Sequence, residues 1–264
     1  MNAMRALAFM ETRKLEGFLD TQRAMAAHIQ MLAEDFFSFY PDTLPDAGEP
    51  IQLYLMLGSE RGFCGDFNQA LLETLSSIPK HANATPGSVI AVGSKLGALL
   101  EISQQATQIE GASVLEDIEN VLMDIIGTLS ELQAQHGDIA LTIIHHDPAK
   151  DGLLSTQVLP PFASLRGSAV QFSYPPQLNL DPEVFCQELI ERYLSSALHE
   201  ILHLSLMAEN QRRVTHLEHA VRQLDDKSEA LARRGNTLRQ EEITEEIEVI
   251  LLSASDLQEA AQRR

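Results

Sequence analysis

Cysteine is scarce in this 264-residue chain: Cys64 and Cys186 stand far apart in unrelated contexts. That supports neither a disulfide framework nor a thiolate metal site, and both read as free thiols. Basic side chains are also few, 19 against 38 acidic ones, for a formal charge of −19. A protein so anionic is repelled by phosphate backbones and anionic headgroups, which argues against nucleic acid as a partner and against direct membrane insertion. No apolar run approaches the roughly 20 residues that a membrane helix needs. The start, Met1 to Met10, lacks the basic-then-apolar layout of a signal peptide. A cytosolic protein, or one peripheral to a membrane, is expected. With 5% aromatics, 44% hydrophobic and 22% charged residues, the composition is that of a globular protein rich in helix formers.

Proline is missing from both ends. All eleven prolines lie between Pro41 and Pro182, and only Gly17 and Gly235 among the glycines lie outside the middle. Proline breaks helix interiors, so two long helices flanking a mixed domain is the natural reading. In the first segment Met4, Ala8, Leu15, Phe18, Met25, Ile29, Leu32, Phe36 and Phe39 recur on steps near those of a coiled-coil seam. The last segment opens on Asp181-Pro182-Glu183, an N-cap followed by proline at the first helical position and an acid favoured by the helix dipole. It continues through Leu217, Val221, Leu224, Leu231 and Leu238, shifts phase, and resumes at Ile243, Ile247, Ile250, Ala254 and Leu257. Such a shift changes the local supercoil. A helix of about eighty residues spans about 120 Å and has to project beyond any small domain. The expected architecture is α/β: an N-terminal coiled-coil helix over 1–40, a mostly parallel sheet domain over 51–175, and a long C-terminal helix over 181–264, the two helices winding antiparallel. A compact all-helical bundle is the alternative.

The middle alternates. Ile51 to Leu57, Ser88 to Val92 and Asp138 to His145 read as buried strands, and Phe67 to Ser77, Ser94 to Ile102 and Val114 to Gln135 as helices. Alternation of this kind implies right-handed crossovers and parallel strands. The stretch from Leu153 to Phe172 offers one or two further edge strands, limited by Pro160-Pro161.

The sharpest apparent chemical motif is His199-Glu200-Ile201-Leu202-His203, a match to HExxH. In zinc peptidases the two histidines share a helix face on the metal while the glutamate activates water. By chance the pattern arises on the order of once per hundred chains of this length. Here it lies deep inside a long helix, and Leu206 occupies a position where the metzincin extension has glycine. Glu209, Glu218 or Glu229 could be nominated as third ligand, but none can fold back along one straight helix. The histidines read as a solvated or interfacial pair. His145-His146-Asp147 ends a strand, where neighbouring side chains diverge to opposite faces. The glycine-rich turn after the first strand, Gly58-Ser-Glu-Arg-Gly-Phe-Cys-Gly-Asp-Phe-Asn68, lacks the Gly-Lys-Ser/Thr ending of a Walker A loop. A tight turn packing helix on sheet is its expected role. No catalytic, cofactor or metal residues are assigned.

That same turn resembles the S/T-D-R-G-L-C-G-G-F/L-N signature of F-type ATP synthase gamma subunits. Leu238-Arg-Gln-Glu-Glu-Ile-Thr-Glu-Glu-Ile-Glu-Val-Ile250, followed by Ser253-Ala-Ser, is similar to the family's A-R-Q-A-x-I-T-x-E-L-x-E-I-V-x-G-A, and Arg192-Tyr193-Leu194 to the R-Y-L of its final helix. The matches follow the family's order from first strand to last helix. The resemblance implies a Rossmann-like domain between two coiled-coil helices, acting as the non-catalytic rotor shaft of a complex at the cytoplasmic face of the inner membrane. Its implied partners are the alpha and beta subunits, the epsilon subunit and the c-ring. Arg239, Gln240 and Thr244 match positions that meet the beta subunits' catch region, Met4 a position near the same level, and Arg192 and Tyr193 positions toward the ring. The signature usually has glycine where this chain has Asp66, and the family's first helix normally starts well ahead of the position of Met1. Such divergence implies a side-branch member of the alternative ion-translocating type. The readings set against it are an HExxH zinc metallopeptidase and a coiled-coil adaptor with an α/β head.

Overall fold

Alternate residues of the central strands are apolar on both faces, so the sheet has to be covered on both sides. A computed structural model shows how; it describes residues 2–44, 50–77, 89–100, 106–150, 152–162, 165 and 174–262. The elements run α1 (Asn2–Phe39), β1 (Ile51–Leu57), α2 (Phe67–Ser77), β2 (Val89–Val92), α3 (Ser94–Leu100), β3 (Ala106–Ile109), α4 (Ile118–His136), β4 (Ile139–Asp147), β5 (Gly152–Leu159) and α5 (Pro182–Gln262). The sheet order is β3-β2-β1-β4-β5, with β5 alone antiparallel. Leu55 stands opposite Ile90 on one side and Ile143 on the other, which sets the register of the three central strands.

Strand β3 was not expected from the sequence. Of its four residues, Ala106 to Ile109, Thr107 and Gln108 are exposed at the sheet edge and give it no apolar run. Residues 88, 101–105, 163–164 and 166–173, on which parts of the expected strands and helix fall, lie outside the described residues.

Two compact units emerge, residues 3–216 and, as the other, residues 1–2 with the remainder of the chain from Leu217. In the larger unit, Leu53, Leu55, Leu57, Ile90, Val92, Leu141 and Ile143 point to one face. They pack there with α4, with α1 through Leu15 and Leu19, and with α5 through Leu198, Ile201, Leu202 and Met207. Met56, Ala91 and Ile144 point to the other face, against Phe67 and Leu71 of α2 and Leu96 and Leu100 of α3. A third cluster gathers Phe36 and Phe37 near the end of α1 with Phe162, Cys186 and Leu189.

Helix α1 runs antiparallel to the first part of α5: Phe36 meets Phe185, Arg23 reaches Glu200, and Phe18 faces His203. Among the described residues, those of α1 that are buried, Phe37 aside, are Ala8, Thr12, Leu15, Leu19, Ile29, Ala33 and Phe36, on alternating steps of four and three with Gln22 and Ala26 half-buried between them. Met4, Phe18, Met25 and Leu32, which the apolar pattern assigned to the seam, are exposed instead. Small residues took their places: Ala33 permits close approach, and Thr12 hides its hydroxyl by donating to the Ala8 carbonyl at 2.9 Å. Asp181 caps α5 by accepting from the Glu183 amide at 3.0 Å.

In the second unit α5 continues as a single helix in which every residue from 222 to 250 is exposed. Leu224, Leu231 and Leu238, then Ile243, Ile247 and Ile250, carry the apolar pattern with its phase shift into solvent.

Candidate functional site

In an open α/β sheet the crevice for ligands lies outside the carboxyl ends of the strands, where the strand order reverses. Here that point falls between β1 and β4. Helix α5 fills it. All ten residues from Ile201 to Asn210 are buried, and Ser205 donates to the carbonyl of Leu57, the last residue of β1, at 3.5 Å. What remains is a cleft of about 140 Å³ lined by His146, Asp147, Ala208, Gln211 and Arg212 among others. That is well below the roughly 300 Å³ at which small-molecule pockets begin.

The glycine-rich turn Gly58–Asn68 wraps this part of α5. Arg213, 4% exposed, pairs directly with Glu209, 3% exposed, one helical turn before it. Its other bonds run to the Asn210 side-chain oxygen at 2.6 Å, the Gly62 carbonyl at 3.2 Å and the Cys64 sulfur at 3.4 Å. Glu209 accepts from the amides of Glu60 and Arg61, both at 3.4 Å. Burial raises the Glu209 carboxyl above the usual glutamate value, and the guanidinium and the two amides offset this only in part. The Cys64 thiol is pushed up to about 11, by burial first and by the neighbouring Glu209 charge second. A thiol so protonated is a packing group rather than a nucleophile.

The turn is fastened on its other side by Glu60. Its carboxylate accepts from the Ser94 amide at 2.8 Å, the Ser94 hydroxyl at 2.6 Å and the Gly111 amide at 2.8 Å. Burial alone would raise this carboxyl. The Ser94 and Gly111 donors and the Lys95 charge outweigh it and hold it below the usual glutamate value. Asn68 closes the turn by accepting from the Ser59 amide at 2.9 Å and donating to the Ser59 hydroxyl at 2.8 Å. Phe63 takes a left-handed φ of 66° and stands exposed at the tip. Asp66, where the family signature has glycine, lies 3.5 Å from Arg212.

The two HExxH histidine rings stay 5.8 Å apart, but each residue of the motif takes a different partner. His199 reaches Glu119 of α4 at 3.3 Å. Glu200 lies 4.0 Å from Arg23 of α1. His203 is buried, with Nδ1 2.6 Å from the His199 carbonyl. Among the described residues no three His, Cys, Asp or Glu side chains converge to hold a metal. His145 and His146 diverge to opposite faces, as strand geometry requires. His145 sits near Thr156 of β5, whereas His146 stacks on Phe67 at 3.9 Å and meets its carbonyl at 2.9 Å.

Of the residues assigned to partner contacts, Met4, Arg192, Arg239, Gln240 and Thr244 are exposed; Arg239, Gln240 and Thr244 lie within little more than one turn of α5, whereas Met4 is on α1 and Arg192 near the start of α5. Tyr193 is half-buried and packs on Phe162 at 4.5 Å, so its ring serves the protein's own core. The sequence pattern brought up Glu209 only as a nominal zinc ligand and left its pairing with Arg213 unread. The available signal was an acid and a base one turn apart in the stretch of α5 that carries Leu202, Leu206 and Met207, where a charge has to find a partner.

The family described as ATP synthase matches residues 1–257. The ATP synthase gamma chain of Clostridium beijerinckii is 26% identical over 214 residues, covering 77% of this chain and 71% of that one. That of Clostridium botulinum strain Langeland is 25% identical over 260 residues, covering 94% and 89%. In fold, the chain is similar to the central stalk of the Tetrahymena thermophila mitochondrial ATP synthase, with a TM-score of 0.63 at 18% identity over 83% of this chain and 98% of that one. It is also similar to the rotor of the Euglena gracilis mitochondrial ATP synthase, with a TM-score of 0.55 at 12% identity over 92% and 100%. An α/β head whose ligand crevice is closed by its own long helix, with the signature turn fastened around that helix, fits a shaft component, and the chain belongs to the ATP synthase gamma family, the central rotor shaft of F-type ATP synthase.

Proposed function

We propose that the chain performs no bond chemistry itself. As an asymmetric shaft it meets three equivalent catalytic subunits differently, so its angle biases which of them is empty, loaded or reacting. Its partners on this reading are the alpha and beta subunits around the coiled coil, with epsilon and the c-ring at the other end, at the cytoplasmic face of the inner membrane. Arg239, Gln240 and Thr244 meet the beta subunits' catch region, Met4 lies near that level, and Arg192 and Tyr193 lie toward the ring. The domains that serve these roles are 1–40, 51–175 and 181–264. The chain stands as a side-branch member of the alternative ion-translocating type. Among the described residues no helix is long and apolar enough to cross a membrane.

The observation that carries the reading is the unbroken exposure of residues 222–250, with Leu231, Leu238, Ile243 and Ile247 in solvent beside Arg239 and Gln240. So many exposed apolar side chains at coiled-coil spacing call for surrounding partners. The exposed Met4, Phe18, Met25 and Leu32 of α1 make the same demand. Co-expression with the alpha and beta subunits of the same genome tests it. A stoichiometric complex should form whose sustained ATPase needs this chain. Arg239→Ala with Gln240→Ala should lower that activity roughly tenfold, the effect of about 1.4 kcal/mol. Failure to associate, or ATPase indifferent to the chain, refutes the proposal.

A further inference from the structure

A shaft has to turn its head without slipping, and apolar packing is poorly suited to that task because it is non-directional. Packed helices slide past one another by small shears at low cost. Charged hydrogen bonds to fixed backbone groups have one register and one azimuth. In the larger unit such bonds converge on one place. Glu209 and Arg213, both almost wholly buried on α5, spend their bonds on the amides of Glu60 and Arg61, the Gly62 carbonyl and the Cys64 sulfur. Glu60 extends the connection to Ser94, just past β2 at the start of α3, and to Gly111 beyond β3. One turn of helix is thereby tied to the carboxyl ends of three adjacent strands.

We propose that the Glu209–Arg213 pair is a latch that locks the head to the shaft helix in a single register, so that torque passes between them without loss. Both are positioning residues, acting through the Glu60–Cys64 turn. The proposal rests on the shaft reading and adds to it the location of the mechanical coupling within this chain. Setting register is the best-attested use of a buried ion pair, since stability alone is often served as well by apolar side chains.

The test uses the complete complex in lipid vesicles, with ATP hydrolysis followed beside the membrane potential reported by a voltage-sensitive dye, which responds to either proton or sodium transport. Arg213→Lys keeps the charge but loses the fork that reaches Gly62 and Cys64, and Glu209→Gln keeps the shape but loses the charge. Each should assemble and hydrolyse ATP at a rate within about twofold of the parent while the potential built per ATP falls roughly threefold or more, a change within the range seen at coupling positions. Met207→Ala, an apolar truncation on the same buried stretch, is the control. It should lower the melting temperature of the complex at least as much yet leave the potential per ATP unchanged. Equal potential per ATP in parent and latch variants overturns the latch, as does a loss in Met207→Ala that matches theirs. If neither latch variant assembles while Met207→Ala does, the pair serves folding and the proposal is likewise overturned. A parent chain that fails to join the complex removes the shaft reading itself, which separates the two failures.

Discussion

The crossing of the first two strand-ends permits no side chain at Gly93. Its φ is +106°, and a β-carbon built there would stand 2.8 Å from the carbonyl oxygens of both Gly58 and Ser59. These are backbone atoms, so no rotamer change relieves the collision. Relief means separating the turns after β1 and β2, which are joined by Gly58 N–H to Val92 O at 2.9 Å and Lys95 N–H to Ser59 O at 3.1 Å. For Gly93→Ala the backbone strain contributes about 1–3 kcal/mol and the overpacking a further 1–3 kcal/mol. Taking about 3 kcal/mol as the expected loss, a unit of this size should melt roughly 6–12 °C lower. Thermal unfolding of the full chain, followed by circular dichroism, measures it. Gly127→Ala is the reference: that glycine lies within α4 and has nothing within 4 Å of a new β-carbon. It should gain about 0.5–1 kcal/mol from helix propensity. A Gly93→Ala protein melting within about 3 °C of its parent would contradict the steric reasoning.

Three further outcomes are expected. His145, His146 and His203 are all held below the usual histidine value, by burial first. The unfolded chain therefore binds protons more readily than the fold around pH 6.5, so the stability these neutral rings allow is present above that value and lost as pH falls through their folded values. Melting temperature should decline on acidification below about pH 6.5, less steeply after His146→Gln; a flat profile refutes it. Cys64, protonated up to about pH 11 and buried, should react with a thiol reagent only as fast as the head opens, so its labelling rate at neutral pH should match the exchange of core amides. Phe36→Ala removes a fully buried ring that contacts Phe37, Tyr40 and Phe185 and should cost about 3–5 kcal/mol in the same melting assay.

Proline placement and strand-helix alternation are properties of single segments, which is why β1, α2 and β4 were legible in the sequence to within a residue or two. The Asp181 cap was legible for the same reason, since it depends on three consecutive residues. Strand β3 was not, because Thr107 and Gln108 owe their strand conformation to pairing with Ile90 and Ala91 rather than to any pattern of their own. The seam of α1 was half legible. Apolar residues mark what can be buried, but Met4, Phe18, Met25 and Leu32 point outward while Thr12 and Ala33 point in, and the choice between two apolar stripes lies with the partner helix. The site was legible as a motif and illegible as a mechanism. The turn Gly58–Asn68 could be matched to a signature, yet the groups it serves, Glu209 and Arg213, stand some 145 residues away and are meaningful only once α5 lies in the crevice.

That crevice explains how a head built like a nucleotide-binding sheet becomes a mechanical part. Turns leading from strand to helix at the carboxyl edge of a parallel sheet present unpaired N–H groups, and such groups elsewhere bind phosphate. In this chain they are taken by internal carboxylates: Glu60 accepts from Ser94 at the start of α3 and from Gly111, and Glu209 accepts from the amides of Glu60 and Arg61. The positions an anionic ligand would occupy are therefore held by side chains that belong to the turn and to α5. An anion fixed by covalent connection to a helix cannot exchange, and so what would be a binding site in another protein is here a joint. Removing the Glu60 carboxylate should accordingly free three donors at once, the Ser94 amide, the Ser94 hydroxyl and the Gly111 amide. Glu60→Ala should then show faster hydrogen exchange at Ser94 and Gly111 than at Ile90, in the middle of β2. Uniform exchange across these positions would mean that the turn is held by packing and that its carboxylate is dispensable.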